Sequence, residues 1–252
     1  WTLRGPLAVT NWSSIVWSPA LGLFVVLSDG TSVMSSADGV AWAVAPDGFP
    51  SGWSSVCWSP ERSLLVAVAD FGANQVMTSP DGAAWTARSS PTGYAWSSVC
   101  WAPELLLFVA VGSAGVGNRV MTSPDGITWT ARTSASDSDW SSIAWSPALG
   151  LFVAVASTTA MTSPDGIVWT SQVVPAADAW SSVCWAAELS LFVAVAFPGA
   201  SSGVMTSPDG VTWTQRTPAA NNLWSCVAWA PTGVEPEPTI WWKNAINAVV
   251  AL

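Results

Sequence analysis

The chain has 252 residues, half of them apolar, and its 20 tryptophans supply ample material for a hydrophobic core. Only 9% of the residues are charged and the formal net charge is −9, so a nucleic-acid partner is excluded because no basic patch offsets the repulsion of its phosphates. No apolar run reaches the roughly 18 residues that a membrane helix needs, which predicts no insertion into a membrane.

A tandem repeat organises the chain. The phrase WSS recurs at Trp12, Trp53, Trp96, Trp140 and Trp180, and its match WSC begins at Trp224, which gives units of 41, 43, 44, 40 and 44 residues. Each unit contains four short strand candidates separated by Pro, Gly and Asp clusters. In the second unit they are WSSVCW (53 to 58), LLVAVA (64 to 69), QVMTS (75 to 79) and AWTAR (84 to 88).

Four strands in each repeat of about 40 to 45 residues are typical of β-propeller blades. No window places apolar residues at helical spacing over ten residues, while Val, Trp, Phe and Thr crowd the strand segments. We therefore predict an all-β fold, a single β-propeller of four-stranded blades. A linear β-solenoid is the alternative, and it is disfavoured because its rungs are usually shorter.

The repeats predict one propeller domain over residues 1–252. Its blades are expected at 12–52, 53–95, 96–139, 140–179 and 180–223. Six blades are favoured, with a composite closing blade from 224–252 and 1–11, because WTLRG matches the fourth strand and WSCVAWAP the first. Five blades with both ends as appendages is the alternative, since TIWWKNAINAVVAL at 239–252 departs from the repeat.

The most constant phrase is MTSPDGITWTAR, residues 121 to 132, which has close copies at 34, 77, 161 and 205. Within it, Ser123-Pro124-Asp125-Gly126 fits a type I turn, because Pro fixes φ at the second position and Gly closes the turn. The Asp carboxylate can accept hydrogen bonds from turn amides, and Trp129 can fold its ring back over the hairpin. We interpret the phrase as a structural turn, not as a repeated ligand site.

These residues resemble the Asp-box, or BNR-like, repeat, whose S-x-D-x-G-x-T-W pattern joins the third and fourth strands of propeller blades in sialidases and many unrelated proteins. The copies here are one residue shorter, S-P-D-G-x-x-W, and the wider repeat is similar to tandem units in phage, viral and algal surface proteins. In that family the motif lies away from the catalytic face, so the resemblance implies a scaffold role. The structural residues that it covers are Asp38, Asp81, Asp125, Asp165, Asp209, Trp42, Trp85, Trp129, Trp169 and Trp213.

The sequence contains no recognisable catalytic constellation. It has no His, which excludes a Ser-His-Asp triad, a Cys-His pair and an imidazole metal site. A sialidase-like site would need a Tyr nucleophile and three convergent Arg, but Tyr94 is the single Tyr. The repeat places four Arg at one equivalent position, which spreads them around the outer rim: Arg4, Arg88, Arg132 and Arg216. We predict that the protein is not an enzyme and has no catalytic residues, cofactor or metal site.

Other chemically active residue types also follow the repeat. Cys57, Cys100 and Cys184 share one place in the first strand, where small apolar residues stand in other units, so we interpret them as packing residues. Glu61, Glu104 and Glu188 share one place in the turn that follows, which predicts a solvated side chain. Asp137 and Asp139 are interpreted as a polar loop tip and not as calcium ligands.

The function that the sequence favours is a non-catalytic structural or recognition scaffold. Loops of varied length, such as DFGAN (70–74), SAGVGN (113–118) and FPGASSG (197–203), would display near-equivalent sites to glycans or protein partners. An enzyme or assembly factor that uses one propeller face or its channel is the alternative. The low charge and the Ser/Gly-rich loops favour an extracellular location or a particle or cell surface. Because Trp1 is preceded by neither a start Met nor a signal peptide, we expect a processed chain or part of a longer chain or larger assembly.

Overall fold

The structure, a computed structural model, describes residues 11–29, 32–45, 51–72, 74–175, 178–197, 203–217 and 224–229. Within these ranges the chain forms strands and turns and no helix, which confirms the all-β prediction. No described segment is a helix that could span a membrane. The strands form five antiparallel sheets of four strands each, and the strands of every sheet follow chain order, as in propeller blades. Most of the predicted closing blade lies outside the described residues.

The chain separates into two compact units, and the first contains three sheets. Sheet 1 consists of β1 (Trp12–Ser18), β2 (Leu23–Ser28), β3 (Val33–Ser36) and β4 (Ala43–Val44). Sheet 2 consists of β5 (Ser51–Ser59), β6 (Leu64–Gly72), β7 (Val76–Ser79) and β8 (Thr86–Arg88). Sheet 3 consists of β9 (Trp96–Ala102), β10 (Leu107–Gly112), β11 (Val120–Ser123) and β12 (Thr130–Arg132).

The second unit contains two sheets and the segment 224–229. Sheet 4 consists of β13 (Trp140–Ser146), β14 (Leu151–Ala156), β15 (Thr159–Ser163) and β16 (Thr170–Gln172). Sheet 5 consists of β17 (Ala179–Ala186), β18 (Leu191–Phe197), β19 (Val204–Ser207) and β20 (Thr214–Arg216).

The second strand of each sheet is apolar on both faces, and within each unit hydrophobic clusters join it to the neighbouring sheet. In β10, Phe108, Val109, Ala110 and Val111 are fully buried, as the apolar run LFVAVG predicts. Phe108 and Ala110 pack in one cluster with residues of sheet 2. The sheets of each unit therefore pack face to face through their second strands.

Tryptophans at the start of the first strands supply much of this buried surface. Trp53, Trp96, Trp140 and Trp180 are among the largest fully buried side chains. Burial of about 200 Å² per ring at about 25 cal/mol/Å² contributes roughly 5 kcal/mol each before conformational entropy is subtracted. These rings belong to the core.

Each first strand has an irregular register directly after its tryptophan. In sheet 2, Trp53 pairs with Ala69 and Ser55 pairs with Val68, so Ser54 is an extra residue on β5. The same shift occurs in sheets 1, 3, 4 and 5. Such a bulge frees an unpaired residue and re-aims its side chain.

The antiparallel order gives each sheet two different ends. The turns between strands 1 and 2 and between strands 3 and 4 lie at one end, which we call the turn end. The connections between strands 2 and 3 and from strand 4 to the next sheet lie at the opposite end, which we call the loop end. The near-constant S-P-D-G phrases are at the turn end, and the sequence-variable loops are at the loop end.

Candidate functional site

The five turns between the third and fourth strands share one hydrogen-bond network. In sheet 3, Asp125 Oδ1 accepts hydrogen bonds from the amides of Ile127 and Thr128, both at 2.8 Å, and from Ser123 Oγ at 2.9 Å. Ser123 Oγ in turn accepts from the Gly126 amide at 2.8 Å. The equivalent distances in the other four turns lie between 2.7 and 3.1 Å, around Asp38, Asp81, Asp165 and Asp209.

A tryptophan closes each of these turns. Trp129 Nε1 donates to the carbonyl oxygen of Gly126 at 3.1 Å, so the ring folds back over the hairpin. The same bond in the other sheets measures 3.0 to 3.3 Å and involves Trp42, Trp85, Trp169 and Trp213. The polar atoms of each motif are therefore engaged in the turn itself.

These hydrogen bonds also set the electrostatics of the turn carboxylates. Amides of Ala84 and Ala83 hold the pKa of Asp81 below its ordinary value. At Asp125, desolvation raises the pKa, but the amides of Thr128 and Ile127 outweigh it and leave the pKa lowered. Stabilised anions that already accept three hydrogen bonds are poorly suited to act as general acids or bases at neutral pH.

The glycine of the turn also lies against the neighbouring sheet. Gly126 has φ of +73°, in the left-handed region that favours glycine. A Cβ at this position would lie 2.9 Å from Val66 Cγ2 and 3.0 Å from Leu64 Cδ2, both in sheet 2. The turn therefore contributes to sheet-to-sheet packing as well as to its own hairpin.

The two serines of WSS connect adjacent sheets, a role that the sequence analysis missed. The Ser54 hydroxyl can donate to Val68 O in its own sheet, at 3.1 Å, or to Trp96 O in sheet 3, at 2.5 Å. Ser55 Oγ accepts from the Val99 amide of sheet 3 at 3.1 Å. The same two contacts recur in the second unit, from Ser141 and Ser142 to sheet 5 and from Ser181 and Ser182 to the segment 224–229. The sequence signal for this role is the pair of serines that recurs inside an otherwise apolar strand.

A glutamate of one sheet binds a tryptophan of the next. Glu61 Oε2 accepts from Trp101 Nε1 at 2.7 Å, and Glu188 Oε2 accepts from Trp229 Nε1. Both glutamates are exposed, as a solvated turn predicts, but they also hold the adjacent sheet or segment. Where the repeat has Ala20 in place of Glu, the buried Trp58 Nε1 has no partner.

The arginines of the fourth strands bind within their own sheets. Nε of Arg88, Arg132 and Arg216 donates to a threonine hydroxyl of the adjacent third strand, at 2.8 to 3.0 Å. Arg119 donates to the carbonyl oxygens of Gly115 and Ser113 in its own loop. No three of His, Cys, Asp or Glu are grouped to hold a metal ion in the described ranges.

The cysteines that share a place in the first strands are free thiols and half buried. Cys57 and Cys184 pack against the hydrophobic clusters of their sheets. Desolvation raises the pKa of Cys57 well above its ordinary value, and it raises the pKa of Cys184 to about 12. Thiols of this kind are poor nucleophiles at neutral pH.

At the loop end of sheets 1 and 2, an exposed aromatic ring lies close to a carboxylate. Phe71 is 58% exposed. The edge of its ring and the Asp70 carboxylate both approach Gly52. A Cβ added to Gly52 would lie 2.1 Å from Phe71 Cε1 and 2.3 Å from Asp70 Oδ1. Desolvation, with a smaller repulsion from Asp29, raises the pKa of Asp70 above its ordinary value. Asp29 Oδ2 accepts a hydrogen bond from Asn11 Nδ2 at 3.0 Å. The ring of Phe71 and the carboxylate of Asp70, which lie together at Gly52, are the candidate site of the first unit.

Comparison with solved structures identifies the class of fold. The chain is similar to virginiamycin B lyase from Staphylococcus aureus, with a TM-score of 0.74 and 11% identity, covering 89% of this chain and 76% of that one. It is also similar to an ancestral GH74 enzyme, with a TM-score of 0.68 and 16% identity over 86% of this chain, but it spans only 32% of that enzyme. These neighbours are β-propellers, and the fold of this chain is a β-propeller.

A third similar structure is a β-propeller protein bound to a peptide. YCF48 bound to D1 peptide matches with a TM-score of 0.58 and 13% identity, covering 82% of this chain and 66% of that one. No protein-family model matches the chain, and a search of curated proteins found no match. Because the identities are low and the neighbours include both enzymes and a peptide-bound protein, these likenesses establish the fold alone.

Proposed function

We propose that the chain is a non-catalytic recognition scaffold that binds a protein or glycan partner through its loop end. The observation that carries this proposal is the difference between the two ends of the sheets. At the turn end, the repeated Asp, Ser, Gly and Trp are engaged in hydrogen bonds and packing. At the loop end, by contrast, the sequence and the length of the connections vary from sheet to sheet.

The repeated turns support a scaffold role. We infer that they are Asp-box turns shortened by one residue, and that their function is to hold the third and fourth strands together. The five Asp and five Trp then act on stability and not on binding. A location outside the cell or on a particle surface accords with this proposal, since exposed recognition loops are useful where partners are encountered.

A broad binding screen tests the proposal. The intact chain would be screened by thermal shift and direct binding against a glycan array and a peptide library. Val116→Asp and Val173→Asp alter exposed residues of the loop end, whereas Ile127→Asp and Val211→Asp alter exposed residues of the turn end. We expect loop-end substitutions to reduce binding of any hit at least tenfold and turn-end substitutions to leave it within twofold. The reverse pattern, or no hit in either library, would overturn the proposal.

One observation favours an enzyme as the second candidate. The pKa of Asp70 is raised by desolvation and, to a smaller extent, by repulsion from Asp29, and pairs of carboxylates are used in glycoside hydrolysis. Turnover of a glycoside library that is lost on Asp70→Asn and kept on Asp165→Asn would establish this candidate and remove the non-catalytic one.

A further inference from the structure

The edge of the Phe71 ring lies against Gly52, a residue that has no side chain. Phe71 and Asp70 are consecutive in β6, so an ideal strand would direct them to opposite faces. Here both side chains approach Gly52, because the register of β5 and β6 is irregular between Ser51 and Trp53 and because Gly52 has no Cβ to displace them. The ring edge and a carboxylate oxygen therefore lie side by side at the loop end.

The combination is specific to sheet 2. The residue before the WSS tryptophan is Asn11, Ala95, Asp139 or Ala179 in sheets 1, 3, 4 and 5, and only sheet 2 has Gly there. Only sheet 2 also has Asp-Phe directly after the second-strand apolar run. A glycine, an aromatic residue and a carboxylate thus depart from the repeat together and meet in space.

The electrostatics of this place favour a cation. The Asp70 carboxylate is partly desolvated and is repelled by Asp29 of sheet 1, so a bound positive charge would relieve both costs. The net charge of −9 also attracts basic partners over a longer range. A neutral sugar could stack on the ring, but it would leave both carboxylates without a counter-charge.

We propose that Phe71 and Asp70 form a binding site for an arginine side chain of a basic peptide segment in a protein partner. A guanidinium group is planar, so it can lie on an aromatic ring while its N–H groups donate to a carboxylate. The inference rests on the proposed recognition function and names the chemistry of the partner.

Titration calorimetry with a capped tetra-arginine peptide tests the site on the intact chain. A capped tetra-glutamine peptide and chitotetraose serve as comparison ligands. Asp70→Asn and Phe71→Ala remove the carboxylate charge and the ring. Gly52→Ala adds a Cβ that displaces both side chains, and melting temperatures verify that each variant is folded. Asp165→Asn is the matched control, because it removes one negative charge at the turn end of sheet 4.

We expect tetra-arginine to bind wild type, with affinity at least tenfold lower in Asp70→Asn, Phe71→Ala and Gly52→Ala and within twofold in Asp165→Asn. Equal loss in Asp70→Asn and Asp165→Asn would indicate diffuse attraction and overturn the site. Binding of chitotetraose in place of tetra-arginine, lost on Phe71→Ala, would overturn the cationic assignment while the recognition function stands. If neither probe binds but the broader screen yields loop-end hits, this inference alone fails; if that screen is also empty, both fail.

Discussion

The Ser54 hydroxyl lies 2.5 Å from the carbonyl oxygen of Trp96, which is one repeat further along the chain and in the next sheet. Its distance to Val68 O, in its own sheet, is 3.1 Å. A hydroxyl has one proton to donate, so the shorter contact makes the Trp96 carbonyl the main acceptor. The bulge after Trp53 positions this hydroxyl, and its hydrogen bond joins sheet 2 to sheet 3 together with the contacts of Ser55 and Glu61.

Removal of this hydroxyl should therefore destabilise the protein. Ser54→Ala is expected to lower the free energy of unfolding by about 1 to 2 kcal/mol, because the carbonyl of the buried Trp96 loses this donor. Ser13 is the matched control within the repeat, since its hydroxyl donates only to Leu27 O of its own sheet, at 3.2 Å. Denaturant unfolding followed by Trp fluorescence would measure both variants. An equal loss in Ser13→Ala and Ser54→Ala would contradict the inter-sheet role.

The contact between Glu61 and Trp101 predicts a stabilising substitution in the preceding sheet. Ala20 occupies the same place as Glu61, and the Trp58 Nε1 that it would face is buried without a partner. Ala20→Glu should supply an acceptor and raise the free energy of unfolding by about 0.5 to 1.5 kcal/mol. The reciprocal change, Glu61→Ala, should lower it by about 1 to 3 kcal/mol because Trp101 Nε1 loses its acceptor.

A background variant separates this hydrogen bond from a general effect of added charge. In Trp58→Phe the indole N–H is absent, so Ala20→Glu should have no stabilising effect there. A similar gain in both backgrounds, measured by denaturant unfolding, would rule out the proposed bond.

The turn carboxylates should act on stability and leave binding intact. Asp125→Ala removes an acceptor of three hydrogen bonds and is expected to cost roughly 1 to 3 kcal/mol. Asp125→Asn keeps an oxygen acceptor and should cost less than Asp125→Ala. If the unfolding midpoint of Asp125→Ala is unchanged while a loop-end ligand no longer binds, the structural interpretation is wrong.

The sequence was sufficient to predict the fold for a physical reason. In each unit the apolar strands, the Pro-Asp-Gly turns and the period all favour one structure, so the all-β class and four strands per sheet follow from local patterns. The turn hydrogen bonds of Asp125 and the ring of Trp129 are also local, within four residues of Gly126. Their donors could be anticipated from spacing alone.

The contacts that were missed join residues about one repeat apart. Ser54 with Trp96 and Glu61 with Trp101 depend on how one sheet packs on the next, which a single repeat does not encode. The approach of Phe71 to Gly52 depends on an irregular register that a period-two pattern cannot indicate. The signal in each case was a departure from apolar composition or from the repeat consensus.

Low pH should lower the stability of the protein by protonating the aspartates of its turns. The pKa values of Asp38, Asp81, Asp125, Asp165 and Asp209 are lowered in the folded state. Their contribution to stability is therefore complete above the unfolded-state pKa of about 3.9, and it is lost as pH falls through the folded values. We expect the free energy of unfolding to decrease below about pH 4. A double variant, Asp125→Asn with Asp165→Asn, should show a smaller decrease, and an identical pH profile would contradict the assignment.

The last prediction separates two roles of turn glycines that share one backbone conformation. Gly22 and Gly126 have φ of +61° and +73°, so an alanine at either position is strained by about 1 kcal/mol. At Gly22 an added Cβ meets nothing within 4 Å, whereas at Gly126 it meets Val66 and Leu64 of the neighbouring sheet. Gly126→Ala should therefore destabilise more than Gly22→Ala, by about 1 to 3 kcal/mol, because the added methyl overpacks the contact between sheets 2 and 3. Denaturant unfolding measures the difference.

A second substitution tests whether overpacking is the cause. Adding Val66→Ala should recover part of the loss in Gly126→Ala and none in Gly22→Ala. Equal losses of stability in both variants, without recovery by Val66→Ala, would show that the left-handed backbone conformation alone requires glycine at position 126.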